Sequence, residues 1–345
     1  MKAIVAHAAK DVRIETRDTP VPGAGQVLIE MAAGGICGSD LHYYNHGGFG
    51  AIKLREPMVL GHEVAGHVAA LGEGVTTLNV GQLVALSPSR PCGDCAYCAE
   101  GLQNHCLNMR FYGSAMPFPH IQGAFRDFIV ADASQCAVAD GLSPGEAAMA
   151  EPLSVVLHGA AQAGDLLGKR VLVTGCGPIG LLAVMVARQA GAVEIVATDV
   201  TEFTLDKARL VGADATFNVG TDPDALDPFC ADKGHFDVHF ECSGVAAALA
   251  AAVPALRPQA TLVQLGLGGD MTLPMQAMTA KEITLRGSFR FHHEFPLAVA
   301  MMRAGRLDVA PLITHRLPMT EAARALELAS DRTKAIKVNL TFGEH

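Results

Sequence analysis

The ten residues VLVTGCGPIG (171–180) restrict the fold of this chain more than any other stretch. A short apolar, β-branched run leads into Gly175, Gly177 and Gly180, and GLLAVMVARQAGA (180–192) follows with the spacing of a buried helix. The spacing G-x-G-x-x-G means little alone; between a strand and a helix it has a mechanism. The first glycine makes a tight turn, the second lets backbone approach a pyrophosphate, and the third lets helix and strand pack closely. The alternation then repeats through EIVATD (194–199), a helical TLDKARLVGADA (204–215), ATFNV (215–219), FDVHFECSG (236–244), an Ala-rich helix and TLVQLGLGG (261–269). Strands alternating with helices in this way build βαβ units, so the expectation is a doubly wound parallel sheet of the Rossmann type.

That sheet implies a dinucleotide held by Gly175, Gly177, Pro178, Ile179 and Gly180. Asp199 ends the next strand nineteen residues after Gly180. A carboxylate there hydrogen-bonds a ribose 2′-hydroxyl and repels a 2′-phosphate, which favours NAD. Lys207 and Arg209 nearby leave NADP open.

At 345 residues the chain is long enough for a second core. Residues 1–150 supply one of different character, with short β-like runs (AIVA, QVLIEMAAGGI, MVLGHEVAGHVAAL, QLVALSP) separated by Gly and Pro. The expected organisation is a catalytic domain over 1–152, the nucleotide domain over 153–289, and a segment 290–345 that returns to the first domain and ends in the strand AIKVNLTF.

Two groups of metal-ligand residues fall in the first part. PCGDCAYCAEGLQNHC (91–106) carries Cys92, Cys95, Cys98 and Cys106 in a polar loop. Four thiolates at this spacing suit a closed tetrahedral zinc site, with an iron–sulfur cluster as the competing assignment. A disulfide does not suit a chain read as cytosolic. Four ligands fill zinc's tetrahedron, so that site is structural and chemistry belongs elsewhere. The second group joins GGICGSDLHYY (34–44) to LGHEVAGHV (60–68). Cys37, His62 and Glu63 offer sulfur, nitrogen and oxygen, a set that suits an open, catalytic zinc, with Glu151 as a further candidate. Singly, each is as easily a core thiol, a satisfied histidine or a helix-terminal acid; their company with the cysteine loop and the glycine turn favours the metal.

Taken together, CGSDLH, GHEVAGHV, the four-cysteine loop, AEPLSV, GCGPIG, ATD and LRGSFRF (285–291) resemble the zinc-dependent medium-chain dehydrogenases over essentially the whole chain, in the polyol branch. The segment MRFYGSAMPFPH (109–120), with GGICGSDLHYY and LRGSFRF, is most similar to the L-idonate 5-dehydrogenase family within that branch. The resemblance implies a mainly β GroES-like catalytic domain beside the Rossmann domain. It also implies one catalytic and one structural zinc per chain, and oxidation of a secondary alcohol of a sugar acid or polyol with hydride transfer to NAD(P). Residue by residue, it implies Cys37, His62 and Glu63 at the catalytic zinc, Glu151 beside it, and Asp40 orienting His62. Ser39 and His42 would move the proton; Tyr43, Phe111, Arg290 and Phe291 would line the substrate and nicotinamide cleft. Leu265, Gly266, Leu267, Phe289 and Arg290 join the cofactor site. Arg110, His120 and Arg290 are the candidate grips for a substrate carboxylate. Thr204 departs from the pattern, standing where an Arg commonly holds the adenosine ribose. The rival of another class, a non-catalytic nucleotide-binding relative, would be expected to have lost the Cys/His/Glu set.

Charge closes off other classes. A net charge of −9 argues against nucleic acid and anionic membrane surfaces as partners. The longest apolar runs, such as LLAVMVA (181–187), fall far below the roughly 20 residues of a spanning helix, and no secretion signal is evident. The expectation is a cytoplasmic homotetramer or homodimer acting on a small molecule.

Overall fold

Six parallel strands form one sheet in a computed structural model of the chain, which describes residues 1–343. They are β1 (Arg170–Thr174), β2 (Glu194–Asp199), β3 (Ala215–Asn218), β4 (Phe236–Glu241), β5 (Leu256–Gln264) and β6 (Thr284–Gly287). Their order is β3-β2-β1-β4-β5-β6, with every neighbouring pair parallel. The winding direction reverses at β1, the position at which doubly wound sheets open a crevice for ligands. β1 and β2 are apolar almost throughout because both faces are covered, and Leu172, Val196, Phe236 and Leu262 lie in one buried cluster with Leu249 and Val253.

The helix after β1 spans Pro178–Gln189, two residues earlier at its start than the apolar run suggests. Pro178 occupies its first turn, where a missing N–H costs nothing, and Gly191 in a left-handed conformation (φ 90°) stops it short of residue 192. The helix expected over 204–215 instead spans Glu202–Leu210, since Gly212 at φ 118° turns the chain towards β3.

The chain divides into two units: Met1–Glu151 with Phe295–Asp331 and Lys337–His345, and Pro152–Glu294 with Arg332–Ile336. The first is built on a mixed sheet of order Cys136–Val138, Leu83–Leu86, Glu63–Leu71, Gln26–Gly35, Lys337–Thr341, Ile313–Pro318, with Phe128–Asp132 also paired to Gln26–Gly35. The last strand, Lys337–Thr341, runs antiparallel to Gln26–Gly35 and parallel to Ile313–Pro318. The molecule is thus α/β, a doubly wound parallel sheet and a mainly β unit. Among the described residues no helix is long and apolar enough to cross a membrane.

The run MVLGHEVAGHVAAL is not one strand. Met58–Val59 pairs with Lys2–Ala8, and Glu63–Leu71 joins the large sheet. Between them Gly61 adopts φ 91°, and a Cβ there would sit 2.1 Å from the Phe125 ring. The break releases His62 from any strand pairing.

Candidate metal centres and nucleotide crevice

Register brings the first ligand set together. Gly35, near the end of Gln26–Gly35, lies opposite Glu63, the first residue of its antiparallel neighbour. Two residues beyond Gly35, Cys37 caps the helix Gly38–His46, so the cysteine and the His62–Glu63 pair emerge at one end of two adjacent strands. One ligand atom from each of Cys37, His62 and Glu63 lies within 4.8 Å of the others. A Cβ at Gly35 would fall 2.3 Å from Glu63 Oε2, so glycine is required for the carboxylate to fold back there.

Asp40 ties the two ligand segments together. It is fully buried; its Oδ2 accepts from the Cys37 N–H at 3.0 Å and its Oδ1 from the Gly61 N–H at 3.1 Å. Burial raises its pKa, opposed by His62. The expected support of the His62 ring by Asp40 needs correction: Nδ1 stands 3.9 Å from Oδ1, too far for a hydrogen bond, because both carboxylate oxygens are turned to backbone donors. Asp40 fixes His62 through the chain at Gly61, and His62 Nδ1 is buried without a hydrogen-bond partner.

The electrostatics favour a cation. Burial, then the Glu63 carboxylate, pushes the Cys37 thiol up to about 12, with Lys337 opposing. Glu151, also buried, is pushed up to about 8, chiefly by desolvation, with Glu63 and Cys37 adding repulsion. Glu151 lies outside the trio of mutually close ligand atoms, yet near enough to interact with all three residues. Lys337 is the residue that sequence reading missed. Its Nζ meets Glu63 Oε1 at 2.8 Å and Oε2 at 2.6 Å and donates to Ile36 O at 3.2 Å, with only 2% of the side chain exposed. Burial pulls its pKa down, but Glu63 and Cys37 outweigh this and the net shift is upward. A lysine inside the apolar run AIKVNLTF was the available signal. One ammonium leaves thiol, imidazole and a second carboxyl without compensation, and this soft-to-hard donor set with an orphaned ring nitrogen fits zinc.

Around the trio, the Phe111 ring lies 5.6 Å from the His62 ring, and Arg110 beside it is exposed and makes no salt bridge among the described residues. Ser39 and His42 are three residues apart on one helix, hence on one face; Ser39 is half-buried and His42 is exposed. Tyr43 is buried against Phe49, and its hydroxyl accepts from the Ala115 N–H at 3.0 Å. His120 is corrected more firmly. Its Nε2 accepts from the Arg55 N–H at 2.9 Å and its Nδ1 lies 2.9 Å from the Pro117 carbonyl, so the buried ring has no donor left for a substrate carboxylate.

In the cysteine loop the Cys106–Cys92 and Cys95–Cys106 sulfurs are 3.4 and 4.0 Å apart, and one sulfur from each of the four residues lies within 4.8 Å of the rest. Tetrahedral zinc with bonds of about 2.3 Å sets its sulfurs roughly 3.8 Å apart, whereas an iron–sulfur core would spread them further. The set fits one ion. Backbone N–H groups of Cys98 and Leu107 lower the Cys95 thiol to about 6, while burial lifts Cys98 to about 12. All nine cysteines are free thiols.

In the second unit the three glycines each meet a distinct demand. Gly175 has φ 86°, and a Cβ there would lie 2.7 Å from Ser243 N. Nothing stands within 4 Å of a Cβ at Gly177, the open side from which a phosphate can approach. At Gly180 a Cβ would meet Gly175 O at 1.8 Å. The helix N-terminus at Gly177 carries no side-chain cap, so its N–H groups and positive dipole end remain available to an anion. Asp199 accepts from Cys176 N at 2.6 Å, Val200 N at 2.7 Å and Thr201 N at 3.1 Å, tying the glycine turn to the end of β2. Thr204 is buried and donates to Thr201 O, so it does not reach outward as an arginine would. Arg209 pairs with Asp206 and Glu202, while Lys207 lies 6.0 Å over the Phe203 ring.

Leu265, Gly266 and Leu267 follow β5 directly, with Leu267 exposed and Gly266 pressed on Gly244, where a Cβ would fall 2.2 Å from its nitrogen. Arg290 adopts φ 56° with its guanidinium 4.9 Å from the Phe289 ring, and Phe291 is buried. Glu241, at the end of β4, was also missed. Its buried carboxylate accepts from Ser243 N at 2.9 Å, Gly244 N at 3.1 Å and Gln264 Nε2 at 2.6 Å, knitting the loops after β4 and β5. An acid closing an apolar strand before Ser-Gly was the available signal.

Residues 23–141 match the family described as alcohol dehydrogenase GroES-like domain, and residues 178–304 the family described as zinc-binding dehydrogenase. The chain is 44% identical to an L-idonate 5-dehydrogenase (NAD(P)(+)) of Escherichia coli, over 91% of each chain. It is 37% identical to a sorbitol dehydrogenase of Gallus gallus, over 98% of this chain and 95% of that one. The crystal structure of an Escherichia coli L-idonate 5-dehydrogenase superposes with a TM-score of 0.95 at 42% identity, covering 99% of this chain and 98% of the other. With a thiol, an imidazole and a carboxylate converging at one sheet end, and a glycine turn opening a doubly wound sheet, this chain belongs to the zinc-binding dehydrogenases with an alcohol dehydrogenase GroES-like domain.

Proposed function

We propose that the protein oxidises the C5 secondary alcohol of L-idonate to 5-keto-D-gluconate, with NAD as the preferred acceptor and NADP also used. The observation that carries the reading is the 44% identity to the L-idonate enzyme across 91% of both chains. Cys37, His62 and Glu63 would hold the catalytic zinc with Glu151 beside it, and Cys92, Cys95, Cys98 and Cys106 the structural one. When bound, zinc supplies a Lewis acid that acidifies the alcohol, and NAD supplies the hydride acceptor. The chain's own residues do the rest. Asp40 and Lys337 hold the ligand segments in place. The Gly175–Gly180 turn and the helix behind it take the pyrophosphate. The alcohol loses its carbon-bound hydrogen as hydride and its oxygen-bound hydrogen as a proton. Ser39, on the helix capped by Cys37, accepts that proton and passes it towards His42, on the same helix face and open to solvent.

Arg110 is the grip for the substrate carboxylate in the first unit, since His120 has no donor to spare. Asp199 favours NAD, and its engagement with three backbone donors leaves about one of its four lone-pair sites for a ribose hydroxyl. A second reading, a sorbitol- or xylitol-type dehydrogenase, draws on the 37% identity to sorbitol dehydrogenase and on the loss of His120 as a carboxylate partner. We also infer a cytoplasmic homo-oligomer: all nine cysteines are unpaired thiols, and β6 is an edge strand exposed along its whole length. The deciding experiment follows NADH absorbance with purified enzyme on L-idonate, sorbitol and xylitol. The proposal expects the highest kcat/KM on L-idonate. Turnover of the neutral polyols with L-idonate untouched would give the second reading its place.

A further inference from the structure

Arg126 is a half-buried cation without an anion. Its neighbour Asp127 turns a carboxylate oxygen to the Lys2 N–H at 2.6 Å, and Arg126 itself makes no salt bridge or side-chain hydrogen bond among the described residues. Its Nε is wholly inaccessible and unpartnered. The buried Lys337 is compensated by Glu63 and the half-buried Arg170 by Asp237. A guanidinium does not relieve burial by losing its proton at ordinary pH, so the buried Nε–H needs an acceptor.

The space for one is beside it. A cavity of about 220 Å³ is lined by Arg126, Arg17, Gln122, Asp18 and the apolar Ala3 and Val59, among others. This is several times the roughly 30 Å³ that a water occupies in the liquid. Arg17 is half-exposed, with one terminal nitrogen on Glu15 at 2.7 Å, and it adds repulsion to Arg126. The Gln122 amide nitrogen reaches only Pro57 O, at 3.5 Å. Asp18 shares the wall but makes no salt bridge with either arginine among the described residues. Two like-charged guanidiniums and a spare amide donor around one cavity form the donor set of an anion site. No residue of the cavity belongs to the metal centres or the nucleotide crevice.

We propose that this cavity binds a small oxyanion, a carboxylate or phosphate, held between Arg126 and Arg17 with the Gln122 amide as a third donor. Thermal unfolding of the full chain tests it, comparing inorganic phosphate and acetate with chloride at equal ionic strength. The wild type should unfold higher in an oxyanion, by about 5 °C at roughly a hundredfold excess over Kd. Sulfate- and phosphate-type salts also stabilise proteins by exclusion, so the variants decide. Arg126→Met, which removes an unpaired half-buried charge, should unfold no lower than wild type in chloride and lose most of the oxyanion increment. Arg17→Met, at a half-exposed position, should fold normally and show a reduced increment. An increment of equal size in wild type and both variants would overturn the proposal, as would no increment over chloride in wild type. If Arg126→Met instead dissociates an oligomer in sedimentation, a carboxylate of a second copy fills the cavity and the small-anion assignment is wrong.

Discussion

Removing the Lys337 ammonium should destabilise the first unit far more than removing an ordinary lysine. Both carboxylate oxygens of Glu63 lie within 2.8 Å of Nζ, the two side chains are 1–2% exposed, and no solvent screens the pair. Breaking a buried ion pair by deleting one partner leaves the other as an uncompensated buried charge, at about 3–5 kcal/mol. Lys337→Met keeps most of the side-chain volume, so the charge dominates the loss. At roughly 2–4 °C per kcal/mol, the unfolding midpoint of that unit should fall by on the order of 6–20 °C in metal-free protein. Glu63→Gln should cost a comparable amount, because it strands the ammonium. The double variant should be less destabilised than the sum of the singles by about 1–3 kcal/mol, the coupling expected of residues in direct contact. Zinc should narrow the deficit of Lys337→Met, since a divalent cation replaces the missing charge beside Glu63. Calorimetry of the four proteins, with and without zinc, reads all of this. Single substitutions that cost under about 1 kcal/mol and add without coupling would mean that Glu63 and Lys337 are not a buried pair.

Three further outcomes follow from the geometry. Asp199→Ser should raise the NADP/NAD ratio of kcat/KM and also lower the melting point of the nucleotide unit, since three backbone N–H groups lose their acceptor; an unmoved ratio would place Asp199 away from the ribose. Burial pushes the Glu294 carboxyl up, but hydrogen bonds from His158 and from the His292 N–H outweigh it and hold it at about 2, below the ordinary 4.5. Its stabilisation is therefore complete above pH 4.5 and lost as pH falls towards 2, and Glu294→Gln should flatten that part of the stability profile; an unchanged acid limb would refute the assignment. Because Cys37 is held protonated up to about 12 and Glu151 up to about 8, zinc must displace protons, so its affinity should climb between pH 6 and 8 by about one log unit per pH unit for each proton released, the Cys37 proton alone carrying the rise above pH 8; a flat profile would contradict a thiolate ligand.

The doubly wound sheet was legible because each of its signals is local. A buried strand, a glycine turn and a helix occur in order; Gly175 and Gly180 each answer a constraint that only glycine meets, and Gly177 leaves the turn open. Cys37, His62 and Glu63 were legible as residue types, but their convergence was not. It depends on Gly35 pairing with Glu63 across two strands and on a break at Gly61, where the Phe125 ring leaves no room for a side chain, and neither registers in a hydrophobic pattern. Lys337 was hidden for the same reason: an apolar run predicts a buried strand, and only the strand pairing reveals that its one lysine faces Glu63. His120 shows the opposite failure. A histidine in a Pro-rich loop reads as available, yet Arg55 N and Pro117 O occupy its two nitrogens. Asp40, expected to support the imidazole directly, is instead committed to the backbone at both ends of the site.

The most direct test of the two-centre account is a metal count by elemental analysis on purified, zinc-replete protein. About two zinc ions per chain are expected in wild type. Cys37→Ser should lose one with the fold largely retained, and Cys95→Ser should lose the other with a clear loss of stability. Iron in place of zinc, or a single ion per chain that survives both substitutions, would contradict the account.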